Sequence, residues 1–315
     1  MLAPGMPMEV RGTAAYACGL LGTREARDAL RGPLFEDPSA EVKIRAIQGI
    51  EEGGDPESVP LLLETLDKVS DRIVRAAATT AIVRLETPEL VEKLIERLQL
   101  TDALDPERVA LVNVLARFRS DRPRTVLQAV LNGDDRDSAD AAALGLAKRW
   151  DPAALFQLIK MVERGGPATR TAVRHLQLLT SVGFEMESYQ RQAENYSGWA
   201  RTNGTTGDPR SWFRDALEAR GYDVQPLQPL VEADLAEEAM PDVSDAAVPV
   251  LLRALRDSDW FIRRNASYLL ARRIGSAAPE VIDYTMTGEE EEAAIRAYND
   301  WWNTLQEKKA AERRG

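Results

Sequence analysis

Few side chains in this sequence could do chemistry unaided. There is one cysteine, Cys18, and one histidine, His175. A single cysteine makes no internal disulfide, and Cys18 stands in an apolar column beside Ala14 and Leu21, so it reads as a small core residue. A single histidine removes every zinc site built on several histidines and leaves no choice of general base of that type. His175 falls between Ala172 and Leu176, so it reads as a part-buried helix position. Carboxylates gather in NGDDRDSAD (132–140), from Glu232 to Asp245 and from Glu289 to Glu292. The first run lacks the D-x-D-x-D-G spacing of a calcium loop, and the other two read as solvated faces or helix-start charges. There is no Gly-rich phosphate loop, no GxGxxG and no G-x-S-x-G. No catalytic residue, metal or cofactor is therefore expected.

Aromatics are the other candidates. Seven of the 19 lie between residues 183 and 222, and Tyr196-x-x-Trp199 there is echoed by Tyr298-x-x-Trp301-Trp302 near the end. Each copy follows a repeat and a Leu-Thr or Met-Thr step, Leu179-Thr180 and Met286-Thr287. The first reading is that these rings wedge against a neighbouring element and form a small core. In the second, Tyr196, Trp199 and Trp212 stack on a sugar or anchor a peptide.

The elements that carry these residues follow from a pattern written several times over. In Pro56 to Leu85, Pro56 starts a helix where its missing N–H costs nothing, and Val59, Leu62, Leu63 and Leu66 recur at helical spacing. Ser70-Asp71 breaks the pattern, and Val74, Ala78, Ala81/Ile82 and Leu85 make a second stripe with small residues for close helix approach. Neither helix buries its stripe alone, so the unit needs neighbours of its own kind. Val10, Val42 and Val74 are spaced by 32 residues, as are Ala14, Ala46 and Ala78, and Cys18, Ile50 and Ile82.

With Val10-Arg11, Val42-Lys43, Val74-Arg75 and Ile262-Arg263 at the second helices, roughly two thirds of the chain resembles the HEAT-repeat family, in the short bacterial form related to phycobilisome lyases. The resemblance implies an all-α, right-handed α-α superhelix, a HEAT/armadillo-like solenoid. It also implies that turn residues such as Asp37/Arg45, Asp71/Arg75 and Asp257/Arg263 link successive turns in a ladder rather than act as acid and base. HEAT-like metal oxygenases need repeated His-Glu pairs, which are absent.

Read in order, the chain divides into a repeat array over residues 1–182, an aromatic and acidic insertion over 183–245, a last repeat over 246–275 and a capping helix over 276–315. The array opens at Glu9 to Gly22 on what reads as the second helix of a repeat, so either a preceding piece is missing or a partner caps the start. Predicted helix pairs follow at Glu25–Phe35 and Glu41–Glu52, at Pro88–Leu100 and Pro106–Phe118, at Pro123–Leu131 and Ala139–Trp150, and at Pro152–Arg164 and Thr169–Thr180. In the insertion Trp212–Arg220 reads as a helix closed by Gly221, followed by an irregular acidic loop. Ala246–Arg256 and Trp260–Ile274 form the last pair. Thr287 and Glu290 make a capping box for the terminal helix.

Forty basic against 51 acidic residues give a net charge of −11. That balance opposes binding to nucleic acid or to an anionic membrane, and with it the basic groove of the HEAT-like DNA glycosylases. No apolar run is long enough to span a bilayer, and the opening MLAPGMPMEV lacks a signal peptide's basic region and apolar core. The expected place is the cytoplasm, or the periplasm or envelope if a signal precedes Met1. The expected function is a non-catalytic scaffold that binds a protein or peptide on the concave row of second helices through Tyr16, Gln48, Glu52, Thr80, Arg84, Tyr268 and Arg272. The alternatives are an envelope or carbohydrate-binding module using the aromatic insertion, and a bilin-lyase-like subunit.

Overall fold

The computed structural model describes residues 5–102, 105–118, 120–185, 187–204, 207–232 and 243–312. Among these every regular element is helical and none is a strand. The last part of the acidic loop, residues 233–242, lies outside the described residues. Two compact units result, residues 1–145 and 146–315.

The first unit contains α1 (Met8–Leu21), α2 (Arg24–Arg31), α3 (Ala40–Gly53), α4 (Val59–Lys68), α5 (Arg72–Arg84), α6 (Pro88–Leu100), α7 (Pro106–Leu115), α8 (Pro123–Leu131) and most of α9 (Arg136–Lys148). Local chemistry sets the boundaries. Asp71 Oδ1 accepts the N–H groups of Ile73 at 2.8 Å and Val74 at 3.1 Å, and Thr87 Oγ1 accepts that of Leu90 at 3.2 Å. Both satisfy donors that the first turn of a helix leaves free. Prolines open α6, α7 and α8. Pro56 instead opens a short 3-10 turn, Pro56–Ser58, that runs into α4.

Successive second helices pack side by side, α1 on α3 and α3 on α5, with α4 against α5 and α6 against α7. Val42 and Val74, Ala46 and Ala78, and Ile50 and Ile82 are fully buried, as the 32-residue period requires. Burying one aliphatic side chain of this size is worth about 1.5–3 kcal/mol.

In α1 the expected columns fail. Val10, Ala14 and Cys18 are only half-buried and Leu21 is 68% exposed, so Cys18 is not a core residue. The buried side of α1 is Arg11, Gly12, Ala15 and Gly19. Glycine is the reason: a Cβ on Gly19 would stand 2.5 Å from the backbone nitrogen of Ile50, and one on Gly49 would run into the carbonyl of Tyr16. Backbone therefore meets backbone between α1 and α3, and the glycine line rather than the aliphatic line faces the neighbour.

The Asp/Arg ladder exists, with other partners than expected. Asp37 takes a two-pronged pair from Arg11, at 2.7 and 3.1 Å, while Arg45 pairs with Glu41 at 3.4 Å on its own helix. Asp71 caps α5. Further links span about one repeat, such as Arg27–Asp55 at 2.5 Å and Arg31–Glu64 at 2.7 Å. The basic residue of the Val-Arg signature also reaches back to the preceding turn: Lys43 Nζ donates to the Leu34 carbonyl at 2.9 Å, and Arg263 Nη1 to those of Asp257 and Ser258 at 2.8 and 2.9 Å. A cation there satisfies carbonyls that a helix end or turn leaves unpaired.

The second unit contains α10 (Leu155–Arg164), α11 (Thr169–Thr180), α12 (Tyr189–Asn203), α13 (Pro209–Glu218), α14 (Gln228–Glu232), α15 (Val248–Ala254), α16 (Trp260–Ile274) and α17 (Gly288–Glu312). Here α10 pairs with α11 and α15 with α16, while α12 lies on α10, and α13 contacts both α11 and α16. The aromatic stretch thus packs through α12 on the first helix pair and through α13 on a helix of each pair. Its second helix begins at Pro209, earlier than Trp212, because Asp208 caps the Arg210 N–H at 2.9 Å.

Buried Asn265 ties this unit together. Trp150 Nε1 donates to its Oδ1 at 2.9 Å, and its Nδ2 donates to the Leu178 carbonyl at 2.8 Å and to Ser181 Oγ at 3.1 Å. Trp150 and Ser181 follow α9 and α11 in the left-handed region, at φ 58° and 57°, a conformation that side-chain-bearing residues adopt at a cost. Asn265 holds both against α16. On the terminal helix, Thr287 and Glu290 cap each other: the Thr287 N–H donates to Glu290 Oε2 at 2.7 Å and the Glu290 N–H to Thr287 Oγ1 at 3.3 Å. The neighbouring carboxylates are used as well, Glu291 by Arg263 at 2.6 Å and Glu292 by Arg256 at 3.0 Å, so they are not merely solvated. Ile295 and Tyr298 are buried in the core of this unit, with Trp301 and Trp302 packed at its edge.

Candidate functional site

Two surfaces emerge, one in each unit. In the first, the solvent-facing row of α1, α3 and α5 carries five of the nominated residues. The Tyr16 hydroxyl donates to Glu52 across the α1–α3 contact, and Arg84 pairs with Glu51 across α3 and α5. The bond to Glu52 raises the pKa of Tyr16, since the carboxylate favours the protonated phenol. Gln48 is exposed between them, and Thr80, half-buried, bonds back to the Ala76 carbonyl at 2.9 Å. The row is thus a mixed polar strip braced by bonds between successive repeats.

Tyr268 and Arg272 belong to the second unit. Tyr268 is engaged in packing, its ring 5.9 Å from Trp150 and covered by the Arg264 guanidinium at 4.8 Å. Arg272 lies one turn further along α16 and is half-buried.

The nominated aromatics are packed too. Tyr196 is fully buried, its hydroxyl donating to the Val182 carbonyl at 2.9 Å and its ring edge-on to Phe184 at 4.9 Å. Trp212 is 6% exposed and meets half-buried Trp199 edge-on at 4.9 Å. Stacking on a sugar needs an open ring face, which Tyr196 and Trp212 do not offer.

The second surface is a cavity of about 200 Å³ in the second unit, lined by Lys148, Arg174, His175, Leu178, Trp260, Arg264, Val281, Asp283 and Tyr284. Three cations and one carboxylate give it a local positive balance inside a chain of charge −11. Aromatic faces hold two of the guanidinium groups: Arg174 sits 4.0 Å above Tyr284, which is itself edge-on to Trp260 at 5.3 Å, and Arg264 rests on Tyr268.

His175 is 6% exposed, and its Nδ1 stands 2.8 Å from the Thr171 carbonyl. Only an N–H can face a carbonyl, so Nδ1 carries the proton. Nε2 is buried without a hydrogen-bond partner, as is Arg264 Nη1. Burial first, then the charge of Lys148, pushes the pKa of His175 down to about 4, so the ring is neutral at pH 7 with a bare lone pair on Nε2.

Sequence reading placed His175 on a half-buried helix face and missed the cavity. Its lining comes from the end of α9, from α11, from α16 and from the loop before α17, segments spread over residues 148–284 that no local pattern brings together. Among the described residues no three His, Cys, Asp or Glu side chains cluster as metal ligands would, and no helix is long and apolar enough to cross a membrane.

Paired helices, repeated, with apolar faces buried between neighbours and polar rows outside, define an α-helical repeat protein. A family model for HEAT repeats matches residues 3–82 and, overlapping them, 32–105, so the chain carries HEAT repeats in its N-terminal third. No curated protein matches the chain.

Proposed function

We propose that the protein is a non-catalytic scaffold that binds a protein or peptide on the row formed by α1, α3 and α5. HEAT repeats commonly mediate protein–protein interaction. The observation that carries the reading here is the braced polar strip itself: Tyr16 with Glu52, Glu51 with Arg84, and Gln48 exposed between them. Both signs of charge and a free amide suit an extended polypeptide, whose backbone and side chains offer complementary donors and acceptors. A net charge of −11 disfavours nucleic acid on the same surface.

The test is affinity capture from native extract with the wild-type chain and with the double charge reversal Glu52→Lys, Arg84→Glu. Both side chains are exposed, so the variant should fold normally. Partners held by this row should be weakened at least about tenfold. Partners captured equally by both chains would contradict the assignment.

A further inference from the structure

We infer that the open face of α1 is the interface of a homodimer, in which the α1 helices of two copies of this chain pack antiparallel about a two-fold axis. It is independent of the scaffold reading and uses none of its residues. The buried side of α1, which meets α3, carries Arg11, Gly12, Ala15 and Gly19. Helical spacing puts Val10, Ala14, Ala17 and Leu21 on the opposite side, with Thr13, Cys18 and Leu20 flanking them. Val10, Ala14 and Cys18 are only half-buried there, and Thr13, Ala17, Leu20 and Leu21 are exposed. In the next two repeats the same columns are shut: Val42, Ala46 and Ile50 are fully buried, as are Val74, Ala78 and Ile82, where α4 lies on α5. The period therefore makes the open stripe of α1 one that a helix covers.

Size and charge select a second copy as that helix. Val10, Ala14, Ala17 and Leu21 are spaced by four, three and four residues, the seam of a two-helix pair. The large side chains stand at the two ends and the alanines in the middle. Antiparallel pairing about a centre between Ala14 and Ala17 sets Val10 against Leu21 of the second copy and alanine against alanine, so the stripe is its own complement, as a two-fold interface requires. From Val10 to Leu21 the sole charged side chain is Arg11, which is 9% exposed and paired with Asp37. A chain of charge −11 therefore meets its copy on this face without like-charge repulsion along the seam. The ends match as well. Glu9 and Arg24 are exposed, and neither is held in an ion pair among the described residues. Antiparallel order brings Glu9 of each copy towards Arg24 of the other, whereas parallel order would set Glu9 against Glu9.

The length of the seam sets the strength. Val10 to Leu21 is about three helical turns, short of the roughly 800 Å² per partner that a standard stable interface buries. The dimer is accordingly a weak one, with a dissociation constant of roughly micromolar order.

The experiment is sedimentation equilibrium of the whole chain from about 1 to 200 μM, a range that brackets such a constant. Wild type should pass from monomer to dimer. Ala17→Glu and Leu21→Glu should each weaken association at least about tenfold, because each buries two carboxylates in the seam. Both positions are exposed in the single chain, so both variants should melt as wild type does, and either one carries the test if the other does not fold. Glu9→Arg should weaken the dimer about threefold, and adding Arg24→Glu should restore it. A chain that stays monomeric throughout overturns the proposal. If that monomer instead binds a peptide of the α4 sequence Val59–Lys68, with amide shifts confined to Met8–Leu21, the face belongs to a helix of another source and the second copy is refuted. A dimer that persists undiminished in Ala17→Glu and Leu21→Glu lies elsewhere on the surface and overturns it too, and failure of Arg24→Glu to restore Glu9→Arg overturns the antiparallel order.

Discussion

Gly49→Ala tests the packing of the repeat array at its tightest point. Replacing a helix-interior glycine by alanine normally gains up to about 1 kcal/mol, because alanine loses less backbone entropy on folding. At Gly49 the new methyl would collide with the Tyr16 carbonyl, and the carbonyl carbon and Cα of Tyr16 stand 2.9 and 3.0 Å away. All three are backbone atoms, so no rotamer change relieves the clash and α1 must move off α3. Overpacking typically costs about 1–3 kcal/mol, and a rigid backbone wall belongs at the upper end. Set against the propensity gain, the net loss is about 1–2 kcal/mol.

Gly12→Ala is the matched control. It lies in the same contact, but its Cβ would meet only the flexible Arg45 side chain at 3.5 Å, an ordinary van der Waals distance. It should stabilise by about 0.5–1 kcal/mol. At about 2–4 °C per kcal/mol for a unit of this size, Gly49→Ala should lower the melting temperature by several degrees and Gly12→Ala raise it slightly. Hydrogen exchange should localise the first effect to Met8–Leu21. Shifts of the same sign for both variants would refute the close backbone approach.

Three further outcomes follow from the second unit and the ladder. Nuclear magnetic resonance should find the single histidine neutral down to about pH 4. Because the unfolded chain binds its proton near pH 6.5 and the folded chain does not, this group's share of stability is intact above pH 6.5 and falls as pH drops towards 4. At about 1.4 kcal/mol per pH unit the loss is roughly 3 kcal/mol by pH 4, and a histidine titrating near 6.5 in the folded protein would contradict its burial beside Lys148, Arg174, Arg264 and Asp283. Asn265→Leu should cost about 3 kcal/mol or more in urea unfolding, since it strands the Trp150 N–H and the Leu178 carbonyl inside the core; near-wild-type stability would deny Asn265 its tying role. Asp37→Asn should destabilise through loss of the two-pronged Arg11 pair, whose side chains are 11% and 8% exposed, whereas Arg45→Gln should be nearly neutral; equal effects would restore the Asp37/Arg45 pairing expected from the repeat pattern.

Some helix limits were legible, two of them because a proline opens the helix. Pro88–Leu100, Pro123–Leu131, Thr169–Thr180 and Trp260–Ile274 stand where the sequence places them. The buried columns of α3 and α5 were equally legible, because aliphatic residues at a fixed period have one way to face a neighbour. Reading failed where glycine did the packing. In α1 the aliphatic column at Val10, Ala14 and Cys18 looks like the contact line, but the absence of side chains at Gly19 and, on α3, at Gly49 is what lets the two helices approach. Reading also failed where polar groups meet across distant segments. Nothing near Asn265 announces Trp150 or Ser181, which lie 115 and 84 residues away in sequence. The same holds for the cavity, whose histidine is unremarkable until Arg174, Arg264 and Tyr284 are placed around it.

The proposed scaffold role requires a protein partner on one face of the array, the row of α1, α3 and α5. Site-specific photo-crosslinking in the native cell tests it most directly, with the probe at exposed Gln48 on α3 and, as control, at exposed Asp28 on α2. Discrete protein adducts should form from position 48 and disappear in the Glu52→Lys, Arg84→Glu background, and none should form from position 28. Adducts from position 28 alone, or adducts from position 48 that persist through the charge reversal, would contradict it.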